Sequence, residues 1–252
     1  MSWCDKLAST PAVGLKLDYH FAPSTDILDV LTPILDRLVE GDKVKFTLNR
    51  QDPFAIELTT EDGFHYGVDP SRVWIDFQHR LKVKPTSGGP PVAELLSRPT
   101  PFSDLLPDVS QRLIDASELI VKVPPRKLMR VGVIASTLVA EDDLPPGMKR
   151  FIEYIGRPWH GLVEQYTFQI TADLEKTADW FDRCTHIVTR AEDPEQLLTL
   201  RFDWHRTFVT GRVATRESMQ EEISRAEEKS MAYFEDLAEG SRFDEELIRS
   251  AT

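Results

Sequence analysis

The stretch "IDFQHRL", Ile75–Leu81, returns half a chain later as "FDWHRTF", Phe202–Phe208. Aligned without a gap, the two stretches match Asp76 with Asp203 and keep the large apolar residues on one face of a strand. A one-residue slip would turn that apolar set toward solvent, so the gapless match is preferred. The repeat therefore predicts an internal duplication of scaffold, without a paired active site.

The same order of elements is predicted in both halves of the 252-residue chain: a strand, a helix, three antiparallel strands and a final helix. Val13-Gly14-Leu15 and Val131-Gly132-Val133 begin the corresponding first strands. Such a unit is typical of the α+β class. We expect two α+β halves, residues 1–125 and 126–252. Their strands form either two curved antiparallel sheets or one continuous sheet covered by helices.

Local patterns predict the elements of the first half. An apolar stripe with helical spacing predicts a helix over 24–40. In the three strands that follow, Asp62-Gly63 between two alternating stretches predicts a tight hairpin turn. The Pro- and Gly-rich stretch 85–101 predicts a loop, with at most a short helical turn around Ala93–Leu96. A second helix begins near residue 104.

In the second half, the pattern predicts a helix over 142–156 and then three strands. The first two of these strands are separated by a segment around "DLEKTADWFD". A long, acidic C-terminal helix is predicted over Ser218–Ala238. Ser218 and Glu221 have the spacing of a capping box at its start.

In its order of elements, this pattern resembles the duplicated saddle of the TATA-binding protein. It resembles more loosely the helix-grip folds, in which a curved sheet wraps a long C-terminal helix. Both resemblances imply a fold and no functional residues, because the sequence motifs of these families are absent.

Charge and composition restrict the function. The formal net charge of −12 disfavours nucleic acid as a partner, since phosphate binding draws its affinity from clustered Lys and Arg. No apolar run is long enough to span a membrane, and the first residues lack a secretory signal pattern. Cys4 and Cys184 form no ligand pair, which favours a reducing compartment. We expect a soluble, cytoplasmic protein.

No reaction motif is present in the sequence. The histidines form no HExxH or His/Cys cluster, so we expect neither a metal nor a cofactor. Cys184 and His186 share a face of a strand, but a cysteine in a strand is more often a buried core residue than a nucleophile. Basic residues accumulate in the middle of the chain and could contact a phosphate group or an acidic partner: Arg126, Lys127, Arg130, Lys149, Arg150 and Arg157.

Two groups of residues are candidates for partner or ligand binding. Arg201, Asp203 and His205 alternate along one strand and therefore share a face. Trp159 and His160 lie in a Pro- and Gly-flanked loop, where an exposed aromatic side chain is a frequent anchor for binding.

These observations lead to three functional hypotheses. The first is a non-enzymatic interaction subunit of a cytoplasmic multi-protein assembly, which binds another protein through a sheet face, the Trp159 loop or the C-terminal helix. The second is a helix-grip protein that binds a small apolar ligand. The third is a hydrolase acting on a nucleotide or phosphate ester near the basic middle.

Overall fold

A computed structural model describes residues 12–23, 46–78, 81–84, 92–95, 100, 102–121, 126–144, 148–150, 152–153, 165–190 and 197–239. The helix predicted over 24–40 lies outside these residues, as does most of the stretch 85–101.

The described residues form a mixed α+β structure in which the paired strands are antiparallel. Two long helices are described, α1 (Phe102–Val121) and α2 (Arg216–Glu239), with a short 3-10 helix at Glu141–Asp143. Residues 148–150 and 152–153 are also helical, within the range predicted for a helix. The strands are β1 (Ala12–Phe21), β2 (Phe46–Asp52), β3 (Ala55–Thr60), β4 (Phe64–Asp69), β5 (Arg72–Gln78), β6 (Leu81–Lys84), β7 (Val92–Leu95), β8 (Lys127–Ala140), β9 (Tyr166–Lys176), β10 (Trp180–Arg190) and β11 (Leu197–Val213).

Strands from both predicted halves share a single nine-stranded sheet, in the order β2-β3-β4-β5-β1-β8-β11-β10-β9. The first strands of the halves, β1 and β8, pair with each other near its middle. In this pair Lys16 lies opposite Ile134, with Gly14 opposite Ser136 on one side and Asp18 opposite Gly132 on the other. The sheet is thus continuous across the predicted boundary at residue 125.

One face of the sheet carries the hydrophobic core. The alternation predicted for β11 is confirmed, because Leu198, Leu200, Phe202, Trp204 and Phe208 are all buried. On this face α1 contacts β1 and β5, while α2 contacts β8 and β11, and the two helices contact each other. The Tyr19 hydroxyl of β1 donates a 2.8 Å hydrogen bond to the carbonyl of Met219 in α2. Among the described helices, none is long and apolar enough to cross a bilayer.

The predicted Asp62-Gly63 turn joins β3 to β4 and is confirmed as a hairpin. Gly63 has a φ of 98°, a left-handed conformation that glycine adopts without steric cost. Its amide donates to the carbonyl of Thr60, whose hydroxyl also contacts Asp62.

Two predictions for the first half are wrong. Five strands, β2 to β6, are found where three were predicted, because the stretch around the Asp62-Gly63 turn folds into β3 and β4, and the stretch 72–83 contains β5 and most of β6. Residues 92–95, predicted as loop or helical turn, form β7 and pair with β6 in a separate two-stranded sheet. Backbone pairing between segments separated in sequence overrides the weak local preference of so short a stretch.

Two details of the second half also differ from the predictions. The "DLEKTADWFD" segment is no separate connection, because it completes β9 and begins β10 around a short turn at 177–179. The capping box of α2 is formed by Thr215 and Ser218, not by Ser218 and Glu221. The amide of Ser218 donates to Thr215 Oγ1 at 3.1 Å, and the amide of Thr215 donates to Ser218 Oγ at 2.9 Å.

Candidate functional site

Nine residues on β9, β10 and β11 form a three-by-three grid on the sheet face that points away from α1 and α2. We call these residues the polar grid. Its rows, set by the strand register, are Arg201 with Ile187 and Gln169, Asp203 with Thr185 and Thr171, and His205 with Arg183 and Asp173. Strand geometry makes the grid about 10 Å wide and about 14 Å long. The candidate residues Arg201, Asp203 and His205 are therefore one column of a larger surface.

Contacts within the polar grid are mostly ionic. Asp203 lies 4.0 Å from the Arg201 guanidinium and 4.0 Å from His205 Nδ1. At the margin, Arg183 Nε donates a 2.7 Å hydrogen bond to Asp173, which lowers the pKa of Asp173 below its ordinary value. The two arginines of the grid are matched by two aspartates, so the surface is close to neutral despite the acidic chain.

The polar grid is accessible to solvent. The Arg201 side chain is 44% exposed, and Asp203 and His205 are partly exposed. No residue of the grid lines the cavity near the start of α2 that is described below. The other candidates, Trp159 and His160, lie outside the described residues.

A charged cluster around the buried Asp18 lies beside the grid, on β1 and β8. Asp18 is only 6% exposed, with His20 Nε2 3.4 Å from its carboxylate. Arg130 donates to the same His20 nitrogen at 2.7 Å. Burial raises the pKa of Asp18, but His20, Arg130 and Lys16 lower it by more, so the net shift is downward. The lowered pKa means that the surroundings of Asp18 favour its ionised form.

A buried cluster of three charged residues lies on the helix side of the sheet. It was not among the candidates predicted from the sequence. We call Asp182, Arg206 and Glu222 the buried ion cluster. Arg206 donates two hydrogen bonds to the Asp182 carboxylate, at 2.7 and 2.8 Å, and lies 3.6 Å from Glu222. The three side chains are at most 4% exposed. The Arg206 guanidinium also stacks 3.5 Å from the centre of the Trp180 ring.

Two residues of the buried ion cluster, Arg206 and Glu222, line a cavity of about 670 Å³ between the β9–β10 turn and the start of α2. Glu222 also contacts Arg212 at 2.5 Å and Arg225 at 3.0 Å. Charged side chains predominate in the lining, which consists of Glu175, Asp179, Trp180, Arg206, Phe208, Thr210, Gly211, Arg212, Glu221, Glu222, Arg225, Glu228 and Lys229.

The residues considered for nucleophilic catalysis are not assembled into a site. Cys184 is buried, as predicted, and His186 on the same face forms a hydrogen bond between its Nδ1 and the Tyr233 hydroxyl of α2. His205 lies on the opposite face of the sheet. Within the described ranges, no group of three His, Cys, Asp or Glu residues could hold a metal ion.

The basic residues in the middle of the chain do not share one surface. Arg126 is buried and donates to the carbonyl of Pro70. Arg130 contacts the Asp18 cluster, and Lys149 donates to the carbonyl of Asp142 at 2.6 Å. Arg157 lies outside the described residues.

No protein-family model matches the chain, and no curated protein resembles its sequence significantly. Its function must therefore be argued from the site itself.

Proposed function

We propose that the protein is a non-enzymatic interaction subunit of a cytoplasmic multi-protein assembly and that it binds another protein through the polar grid. The observation that carries the proposal is the grid itself: an accessible and nearly neutral surface of three strands. Small-molecule sites are concave and mostly apolar, whereas this polar strand surface fits the centre of a larger protein interface. The partner surface that fits is polar and carries charges of both signs, matched to the alternating Arg and Asp side chains.

We further propose that the fold arose by internal duplication. The strand register supports this proposal. Lys16 opposes both Asp76 and Ile134, and Ile134 also opposes Asp203. A two-fold rotation about the Lys16–Ile134 pair therefore exchanges the two aspartates that the gapless alignment matched. The same rotation exchanges Gly14 with Gly132.

The interaction proposal is tested by isolating the tagged full-length chain from cells that express it naturally and quantifying the proteins that copurify. Reversing both cations of the grid, with Arg183→Glu and Arg201→Glu, introduces repulsion toward the partner's carboxylates. We expect one defined set of copurifying proteins to fall at least about tenfold, which corresponds to roughly 1.4 kcal/mol of binding free energy.

The control is Arg216→Glu, which makes one such Arg-to-Glu substitution, and so half the charge change of the double variant, at an exposed position at the start of α2. We expect this variant to retain the partner. If the wild-type chain is isolated without any other protein, or if the grid variant retains the same partners as the control, the proposal is wrong.

The hydrolase hypothesis is the second candidate, since each of three histidines lies within 4.0 Å of a carboxylate on the same sheet face. These pairs are His20 with Asp18, His65 with Glu57 and His205 with Asp203, and an arginine accompanies each. A variant with all three histidines replaced by Gln would abolish any phosphate-ester hydrolysis by the wild type if this hypothesis holds. The apolar-ligand hypothesis has less support, because the described cavity is lined mainly by charged side chains.

A further inference from the structure

The outer edge of β9 has no neighbouring strand among the described residues. Counting outward from the central β1–β8 pair, β3 is the third strand on one side and β9 is the third on the other. On its outer side β3 is paired with β2, whereas β9 has no outer neighbour within the described ranges. Residues 169–176 of β9 are all exposed. Unpaired backbone donors and acceptors along such an edge can pair with another strand.

The two edges of the sheet differ in how well they resist pairing. β2 is short, has an irregular register between Leu48 and Arg50, carries Arg50 and Asp52, and is followed by Pro53. Charges, irregular pairing and proline all discourage strand addition. The β9 segment Tyr166–Ala172, by contrast, contains no charged residue, glycine or proline.

The sequence of this segment is complementary to itself in an antiparallel register centred on Gln169. That register places Gln169 opposite Gln169 of a second copy and Thr167 opposite Thr171. On the helix side it places Phe168 opposite Ile170, and aromatic with β-branched is a favourable cross-strand pair. Ile170 is 47% exposed, so the contact would bury apolar surface that water now covers.

Charge explains why the contact would be confined to this segment. Each chain carries a net charge of −12, so two copies repel each other wherever their acidic surfaces approach. The charged end of β9, with Asp173, Glu175 and Lys176, lies beyond the paired segment in the register centred on Gln169.

We propose that the chain forms a two-fold symmetric dimer in which the β9 strands of two copies pair antiparallel over Tyr166–Ala172. The two sheets then join into one, and the polar grids of the two copies become neighbours on one continuous face. This proposal does not depend on the proposed function, because the dimer would form with or without another protein.

The mass of the purified full-length chain in solution, measured by light scattering and native mass spectrometry, tests the proposal. We expect the wild type to have the mass of two chains. Gln169→Lys places two like charges directly opposite each other, so we expect the dissociation constant of the dimer to rise by about tenfold or more. Gln169→Glu has the same effect alone, and a mixture of the two variants recovers the dimer as a heterodimer. Thr47→Lys places the same charge on the other edge strand and leaves the dimer intact.

Cysteine cross-linking tests the register of the two β9 strands directly, because it does not require a variant that weakens the dimer. Gln169→Cys is expected to form a disulfide between two copies under mild oxidation, whereas Thr47→Cys, with the same native cysteines, is not. The proposal would be overturned by a monomeric wild type, by a dimer that Gln169→Lys leaves unaffected, or by equal cross-linking of the two cysteine variants. Open-ended oligomers would also overturn it, because they indicate a head-to-tail contact.

Discussion

At the scale of single residues, the buried ion cluster is the feature with the largest energetic consequence. Arg206 occupies a position between Trp204 and Phe208 where the alternation of β11 predicts an apolar side chain. A buried charge is tolerated only if it is paired and hydrogen-bonded, and here Asp182 and Glu222 supply the opposite charges. Removing Arg206 leaves the Asp182 carboxylate buried without its compensating charge, whereas Glu222 keeps its contacts with Arg212 and Arg225.

Arg206→Met is therefore expected to lower the free energy of unfolding by about 3–5 kcal/mol, which urea denaturation can measure. Arg183→Met serves as the control, since it breaks the 2.7 Å hydrogen bond to Asp173 at an exposed site and should change stability little. A similar loss in both variants would show that the cluster is not a special source of stability.

Asp18 makes the stability depend on pH. Its pKa is lower in the folded protein than the ordinary value of about 3.9 in the unfolded chain. The ionised carboxylate therefore stabilises the fold above about pH 4, and this contribution is lost as the pH falls through the lower folded value.

We expect Asp18→Asn to be less stable than the wild type at pH 7 and the difference to shrink below about pH 4. Thermal unfolding of both proteins over a pH series measures this difference in stability. The control, Asp173→Asn, removes a carboxylate at the exposed margin, where solvent screens the interaction. A stability difference for Asp18→Asn that is constant with pH would contradict the assignment.

The candidate site could be predicted only in part from single residues. Alternation within one strand is a local property, and it correctly placed Arg201, Asp203 and His205 on a common face. The rest of the polar grid lies on β9 and β10. Its rows depend on the register between strands, which cannot be read from the sequence of one strand alone. The buried ion cluster had a detectable sign in the charged residue on an apolar face, but its partners Asp182 and Glu222 become evident only when α2 is packed on the sheet.

At the scale of elements, the start of α2 shows how local chemistry selects between alternative caps. Thr215 and Ser218 satisfy each other's backbone amides, while Glu221 is held by Arg212 at 2.6 Å. Thr215→Ala removes the side-chain acceptor, so we expect a loss of about 1 kcal/mol in the free energy of unfolding.

Chemical denaturation of Thr215→Ala checks this value, with Thr47→Ala on the exposed strand β2 as the control. If Ser218 and Glu221 formed the operative box, Glu221→Ala would cost about 1 kcal/mol, and Thr215→Ala would cost almost nothing.

The elements that were predicted correctly have strong local patterns. α1 and α2 have clear helical periodicity, and the hairpin has Gly63 at its turn. The elements that were mispredicted lack such support. β7 has four residues, and its pairing with β6 comes from a segment on the other side of a Pro- and Gly-rich stretch.

At the scale of the whole molecule, the pairing of β1 with β8 joins the two predicted halves. Their register runs from Ala12 opposite Thr137 to Phe21 opposite Leu128, with irregularities at both ends. Arg126 adds a contact across the boundary through its hydrogen bond to the carbonyl of Pro70. Separating the halves would expose an edge of β1 and an edge of β8, and each is a long strand from the middle of a sheet.

We therefore expect residues 1–125 and 126–252 to be poorly soluble when produced alone and to form a soluble one-to-one complex when produced together. The circular dichroism spectrum of that complex should match the spectrum of the intact chain. Val133→Lys in the second fragment provides the control, because it puts a charge at a fully buried position opposite Leu17 and should prevent association. Two fragments that each fold cooperatively as monomers would show instead that the halves are independent domains, and the shared sheet would then contribute little to their stability.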